Sequence, residues 1–106
     1  MKKIKVIVDR PIGYKDEFGN IYPINYGYIE GIMAGDGEEQ DAYILGENKP
    51  LDCFEGFLIA YVRRRDDNED KWVVSNFTFS VSEIKEQINF IEQYFDSYIE
   101  LCESSE

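Results

Sequence analysis

The chain has 106 residues, with 22 Asp and Glu against 11 Lys and Arg, no His, and a formal charge of −11. This length fits a single domain with one modest core, and the hydrophobic and aromatic shares of 43% and 15% place it among globular rather than disordered chains. The charge argues against nucleic acid and anionic membrane as partners, and the lack of His removes the usual zinc ligand and the usual general base near neutral pH.

Any acid-base or metal chemistry must therefore come from carboxylates, Lys, Tyr or the two cysteines. Cys53 and Cys102 form no CxxC pair and no larger framework, so two reduced thiols in a cytoplasmic protein are expected. The Met-Lys-Lys start leads into a run too short and too charged for a signal peptide, and no segment approaches the ~20 apolar residues of a membrane helix.

In chain order, Lys3 to Asp9 (KIKVIVD) reads as a strand broken by Pro11 and Gly13, and Lys15 to Asn20 as a polar turn. Asn25 to Met33 carries Tyr26, Tyr28, Ile29 and Ile32 and reads as a strand with bends or bulges at Gly27 and Gly31. Asp36-Gly37 is a turn, Ala42 to Leu45 a short strand, Gly56 to Val62 another, and Trp72 to Val74 another. Arg63 to Lys71 (RRRDDNEDK) has the composition of a wet loop. Several short strands with turn signals between them imply a small closed or partly open β-barrel over about residues 3–79.

The period then changes. Ile84, Ile88, Ile91, Phe95 and Tyr98 recur at spacings of four and three, which predicts one amphipathic helix over about residues 81–102, packed on the barrel. Ser80 and Glu83 match a capping box that fixes its start near Val81. The expected fold class is mainly β (α+β).

Asp36, Glu38 and Asp41 crowd into six positions between two apolar runs. Oxygen-only ligands on a turn and a strand start suit a hard ion such as Mg²⁺, although on spacing alone Asp-Gly between apolar runs reads first as a hairpin turn with solvated acids. Asp66, Asp67, Glu69 and Asp70 form a second acidic cluster, either a solvated hairpin tip or a second side of the same site. Arg63, Arg64 and Arg65 should alternate in direction at a strand end and pair with these acids, each exposed pair contributing at most ~1 kcal/mol.

The segment Tyr22-Pro23-Ile24-Asn25-Tyr26-Gly27-Tyr28-Ile29, followed by Asp36-Gly37-Glu38-Glu39-Gln40-Asp41, resembles the core of the soluble (family I) inorganic pyrophosphatases. The resemblance implies an OB-like five-stranded barrel with a packed C-terminal helix, and hydrolysis of inorganic pyrophosphate or a related small diphosphate with Mg²⁺, or Mn²⁺, activating water. It implies metal ligation by Asp36, Asp41 and Glu69, with Asp70 as a substitute and Asp66 as an upstream acid of the same site. Glu38 would position the attacking water and Tyr26 would stand beside the metals. Lys71 and Tyr94 would contact phosphate.

The family hairpin that supplies a phosphate-binding Lys and Arg is cut here to about ten residues between Pro11 and Ile21, and Arg10 and Lys15 are the nearby cations. Phe95 stands where the family has a Lys after the helix tyrosine. Loss of such charges points to an alternative, a non-catalytic domain binding a divalent cation or small phosphorylated ligand. A third reading is an acidic protein-interaction module. The expected partner is a small-molecule phosphate substrate, and an open barrel edge would favour a homo-oligomer.

Overall fold

The computed structural model describes residues 3–35, 37–65 and 69–102. Five strands close a barrel: β1 (Ile4–Arg10), β2 (Asn25–Met33), β3 (Glu39–Leu45), β4 (Cys53–Arg64) and β5 (Lys71–Ser75). Their lateral order is β1-β2-β3-β5-β4, and β4 returns to β1 to complete the closure. All neighbours are antiparallel except β3 and β5, which pair in parallel from Ala42↔Trp72 to Leu45↔Ser75. Helix α1 (Val81–Glu92) and a further strand, β6 (Ser97–Leu101), complete the described chain.

The barrel was expected: β2 has the expected bounds, β1 is shifted by one residue, and β3, β4 and β5 run longer than the apolar cores that marked them. Val6, Ile29, Ala42, Ile44, Phe54 and Val74, at least one from each barrel strand, fill the interior. A second cluster lies on the outer face of β3, β5 and β4, where Tyr43, Leu45, Val73, Ala60 and Val62 meet Ile84 and Ile88 of α1. β3 and β5 are thus buried on both faces, which is why Ala42–Leu45 and Trp72–Val74 read as continuous apolar runs rather than alternating ones.

Helix α1 starts where the capping box placed it, with the Ser80 side chain accepting from Glu83 N and the Glu83 side chain accepting from Ser80 N. It does not reach residue 102. The last turn tightens through Tyr94 N donating to Ile91 O (3.1 Å) and Phe95 N to Glu92 O (3.0 Å), and the chain turns into β6. Tyr98 and Leu101, expected on the helix, lie on this strand. β6 pairs antiparallel with the second half of β4, Ala60↔Leu101 to Arg64↔Ser97, on the edge that β1 leaves open. The residues 97–101 suit either period, and the unpaired backbone of β4 decides between them, because open N–H and C=O groups at a sheet edge favour a strand.

At Gly27 in β2 there is no room for a side chain. A Cβ would lie 1.9 Å from the carbonyl oxygen of Ile7 and 2.9 Å from the Cα of Val8, so this glycine permits the close approach of β1 and β2 rather than a bend. Both cysteines are free thiols. Among the described residues no helix is long and apolar enough to cross a membrane.

Candidate active site

Strand alternation puts the chemistry on the face that carries α1. Asp41 is two residues before Tyr43, Lys71 two before Val73, and Arg64 two after Val62, so all three side chains follow the helix-side core outward along their strands. Tyr26 lies opposite Tyr43 in the β2–β3 ladder and Arg10 opposite Tyr26 in the β1–β2 ladder. The helix stops covering this face near Ile91, and the uncovered end forms a cleft of about 620 Å³. Arg10, Tyr26, Asp41, Arg64, Glu69 and Lys71 stand in its wall.

The charged groups at its floor are tied to one another. The Lys71 ammonium lies 2.7 Å from Asp41 Oδ2 and 3.4 Å from Glu69 Oε1, with the lysine side chain only 6% exposed. Tyr26 is hydrogen-bonded to Asp41, and burial together with the Asp41 carboxylate holds its phenol far above the ordinary tyrosine range, so it stays a neutral donor. Arg64 donates to both oxygens of Glu92, at 3.2 and 2.7 Å, inside the fold, and Tyr43 donates to Glu92 at 2.6 Å. The Arg64 guanidinium also stacks 3.7 Å from the centre of the Phe95 ring and lies 3.8 Å from Glu69.

Arg10 is held differently. It donates to the Tyr22 hydroxyl at 2.5 Å, and its guanidinium lies 5.5–5.7 Å from the ring centres of Tyr14, Tyr22 and Tyr26. Burial works against its charge, but the bond to Tyr22 together with the electrostatic contributions of Tyr22, Tyr26 and Tyr14 outweighs that and keeps it cationic. Among the described residues it makes no ion pair. Aromatic faces stabilise a guanidinium without neutralising it, so Arg10 keeps its charge at the cleft wall.

The expected site residues are therefore partly assembled. Arg10, Tyr26, Asp41, Glu69, Lys71 and Tyr94 meet in one cleft. Glu38 is exposed on the β2–β3 connection and does not line it, and neither does Lys15, exposed beside the Lys15↔Ile21 bridge. Asp70 is turned to Arg63 (2.7 Å) and to the Arg64 backbone N–H, away from the cleft. Asp36 and Asp66 lie outside the described residues. Of the three arginines expected to pair with the acids, Arg64 stands in the cleft beside Glu69, while Tyr22, Phe18 and the buried Glu92 were missed. The spacing of Glu92, four beyond Ile88 on the buried helix face, was the available signal for the last of these.

Mg²⁺ is commonly held by one or two carboxylates, with water and substrate phosphate supplying the rest. Asp41 and Glu69 fit that donor set, since both already converge on one cation, the Lys71 ammonium. No group of three or more metal-ligating side chains forms among the described residues, so these residues do not supply the larger carboxylate set that the sequence suggested.

No protein-family model matches the chain, and no curated protein matches it in sequence. Solved structures do match in fold. The inorganic pyrophosphatase of Ehrlichia chaffeensis superposes with a TM-score of 0.73 at 18% identity, over 94% of this chain and 86% of that one. That of Helicobacter pylori gives 0.67 at 13% identity, over 95% and 82%. That of Neisseria gonorrhoeae gives 0.64 at 22% identity, over 88% and 73%. Closed barrel, added strand, C-terminal helix and cleft together make this the fold of the soluble inorganic pyrophosphatases, in a divergent sequence.

Proposed function

We propose that the cleft binds a small diphosphate and catalyses hydrolysis of its phosphoanhydride bond with a divalent ion, Mg²⁺ or Mn²⁺. The observation that carries this reading is the meeting, in a fold shared with inorganic pyrophosphatases, of two carboxylates on one cation beside Arg10, an arginine without an ion-pair partner among the described residues. Asp41 and Glu69 would hold the ion, which supplies an activated water and offsets phosphate charge. Arg10 and Lys71 would bind phosphate oxygens, Lys71 with its ammonium turned from the carboxylates to the phosphate. Tyr26 holds Asp41 in place as a neutral donor, and Tyr94 reaches the substrate from the end of α1.

Phosphate release from pyrophosphate by the purified protein, with Mg²⁺ or Mn²⁺ and with chelator, tests this directly. Metal-dependent release that Asp41→Asn abolishes while circular dichroism is unchanged is expected. Equal release by the variant removes Asp41 from the chemistry.

A second reading is favoured by one observation. Lys71 already neutralises Asp41 and Glu69, and Asp70 is engaged by Arg63, so the described residues of the cleft offer fewer available anions than a two-ion site requires. A domain that binds a phosphorylated ligand or a cation without turnover would show ligand-dependent thermal stabilisation, ~2.7 kcal/mol at 100 times Kd, and no product.

A further inference from the structure

The walls of the cleft are more aromatic than a small inorganic anion requires. Its volume of about 620 Å³ lies within the range of roughly 300–1,000 Å³ that holds drug-sized organic ligands, whereas inorganic pyrophosphate is much smaller. Phe18, Tyr22, Tyr26, Tyr94 and Phe95 stand around it with Ile91. The phosphate-binding cations Arg10 and Lys71 share this cavity with the rings.

Phe18 is the unusual member. It is 82% exposed, yet it sits on a turn with several internal bonds. Asp16 Oδ1 accepts from Phe18 N and Asn20 N, both at 2.9 Å, and Asp16 Oδ2 accepts from Asn20 Nδ2 at 3.1 Å. Asp16 N donates to Asn20 O at 3.0 Å, and Gly19 N to Asp16 O at 3.1 Å. A phenyl ring presented to water on a fixed turn at a cavity wall has lost conformational freedom without gaining burial. Tyr94, 63% exposed, offers a second ring in the same wall from the end of α1.

We infer that the ligand of this cleft is an organic diphosphate carrying an aromatic ring, of the nucleoside 5′-diphosphate class, with its ring against Phe18 and Tyr94 and its phosphates at Arg10 and Lys71. The inference rests on the reading of the cleft as a diphosphate site. Stacking of a base on a side-chain ring is sequence-tolerant and substantial, and it turns an exposed phenyl into a buried one. Hydrolysis of such a ligand adds water across the P–O–P bridge. The water oxygen bonds the terminal phosphorus, the bridging oxygen leaves with the nucleoside monophosphate, and a proton passes to solvent.

Calorimetric titration with ADP, inorganic pyrophosphate and adenosine, each with Mg²⁺ and on wild type and Phe18→Ala, tests it. ADP is expected to bind at least tenfold more tightly than either pyrophosphate or adenosine. The ratio of pyrophosphate to ADP dissociation constants should fall by about fivefold or more in Phe18→Ala. The exposed position of Phe18 leaves folding of that variant intact, checked by circular dichroism. Pyrophosphate binding as tightly as ADP, or an unchanged ratio in the variant, overturns the aromatic ligand class and leaves the diphosphate site standing. Adenosine binding as tightly as ADP overturns the role of the phosphates. Binding of neither phosphate compound overturns the diphosphate reading and this inference with it.

Discussion

Lys71 and Asp41 are joined across the one parallel pairing in the barrel, with Nζ 2.7 Å from Oδ2. Parallel register Ala42↔Trp72 sets the residues before them side by side, so the ladder itself brings a cation to the first carboxylate of the cleft. Glu69, two residues before Lys71, completes the cluster at 3.4 Å. On the proposed reading a divalent ion would take the same carboxylate oxygens that Lys71 holds here, so lysine and metal would compete for them.

Removing this ammonium while keeping its packing volume, as in Lys71→Met, should cost on the order of 1–3 kcal/mol in metal-free buffer, since two partly buried carboxylates lose their shared partner. The same variant should gain more from Mg²⁺ than wild type does. Thermal unfolding across a Mg²⁺ titration measures both effects, and an Mg²⁺-induced rise in Tm no larger than that of wild type would show that lysine and metal do not compete.

Arg64 and Glu92 tie α1 to the barrel wall inside the fold, with both side chains about 5% exposed or less. Truncating one member of such a pair typically costs about 3–5 kcal/mol, and Arg64 would keep the more distant Glu69, at 3.8 Å. Glu92→Ala should therefore lower stability by about that amount in urea unfolding, and it also strips the Tyr43 hydroxyl of its acceptor. A loss below ~1 kcal/mol would mean that water reaches Arg64 in the variant.

Alkaline unfolding should be steep. Burial, and the carboxylates of Asp41 and Glu92 respectively, hold the Tyr26 and Tyr43 phenols above the ordinary tyrosine value of 10.0. Their folded-state values are raised, so the stability they contribute is complete below about pH 10 and is lost as pH rises, because the unfolded chain releases protons that the native state keeps. Each adds a slope of about −1.4 kcal/mol per pH unit above pH 10. Stability of Tyr26→Phe followed from pH 9 to 11.5 should fall less steeply than that of wild type, and parallel curves would remove Tyr26 from this account.

Gly27→Ala should be among the most damaging single changes in the chain. The added methyl would meet the backbone of Ile7 and Val8 rather than a movable side chain, and the β1–β2 ladder would have to part. The expected loss exceeds ~3 kcal/mol. The contrasting control is Gly19→Ala, where nothing lies within 4 Å of the new methyl and the φ of +89° makes backbone strain the main cost, on the order of 1 kcal/mol. Equal losses in the two would refute the packing argument for Gly27.

The sequence by itself determined the five barrel strands, the capped start of α1 at Ser80, and six residues of the cleft: Arg10, Tyr26, Asp41, Glu69, Lys71 and Tyr94. The strands and the helix start were legible because alternation, helical spacing and the capping box are written in neighbouring residues. The cleft residues were legible through the pyrophosphatase resemblance that the run from Tyr22 to Ile29 carries, and Arg10 as the cation beside the shortened hairpin. Only the tertiary structure decided the rest. It turned residues 97–101 from helix to strand at the free edge of β4, and it sent Asp70 to Arg63 and Lys71 to Asp41. It also buried Arg64 against Glu92 and set Phe18 at the wall of the cleft. In each case the outcome depended on which strand lies beside which and in what register, and that pairing joins residues tens of positions apart, beyond the reach of any local pattern.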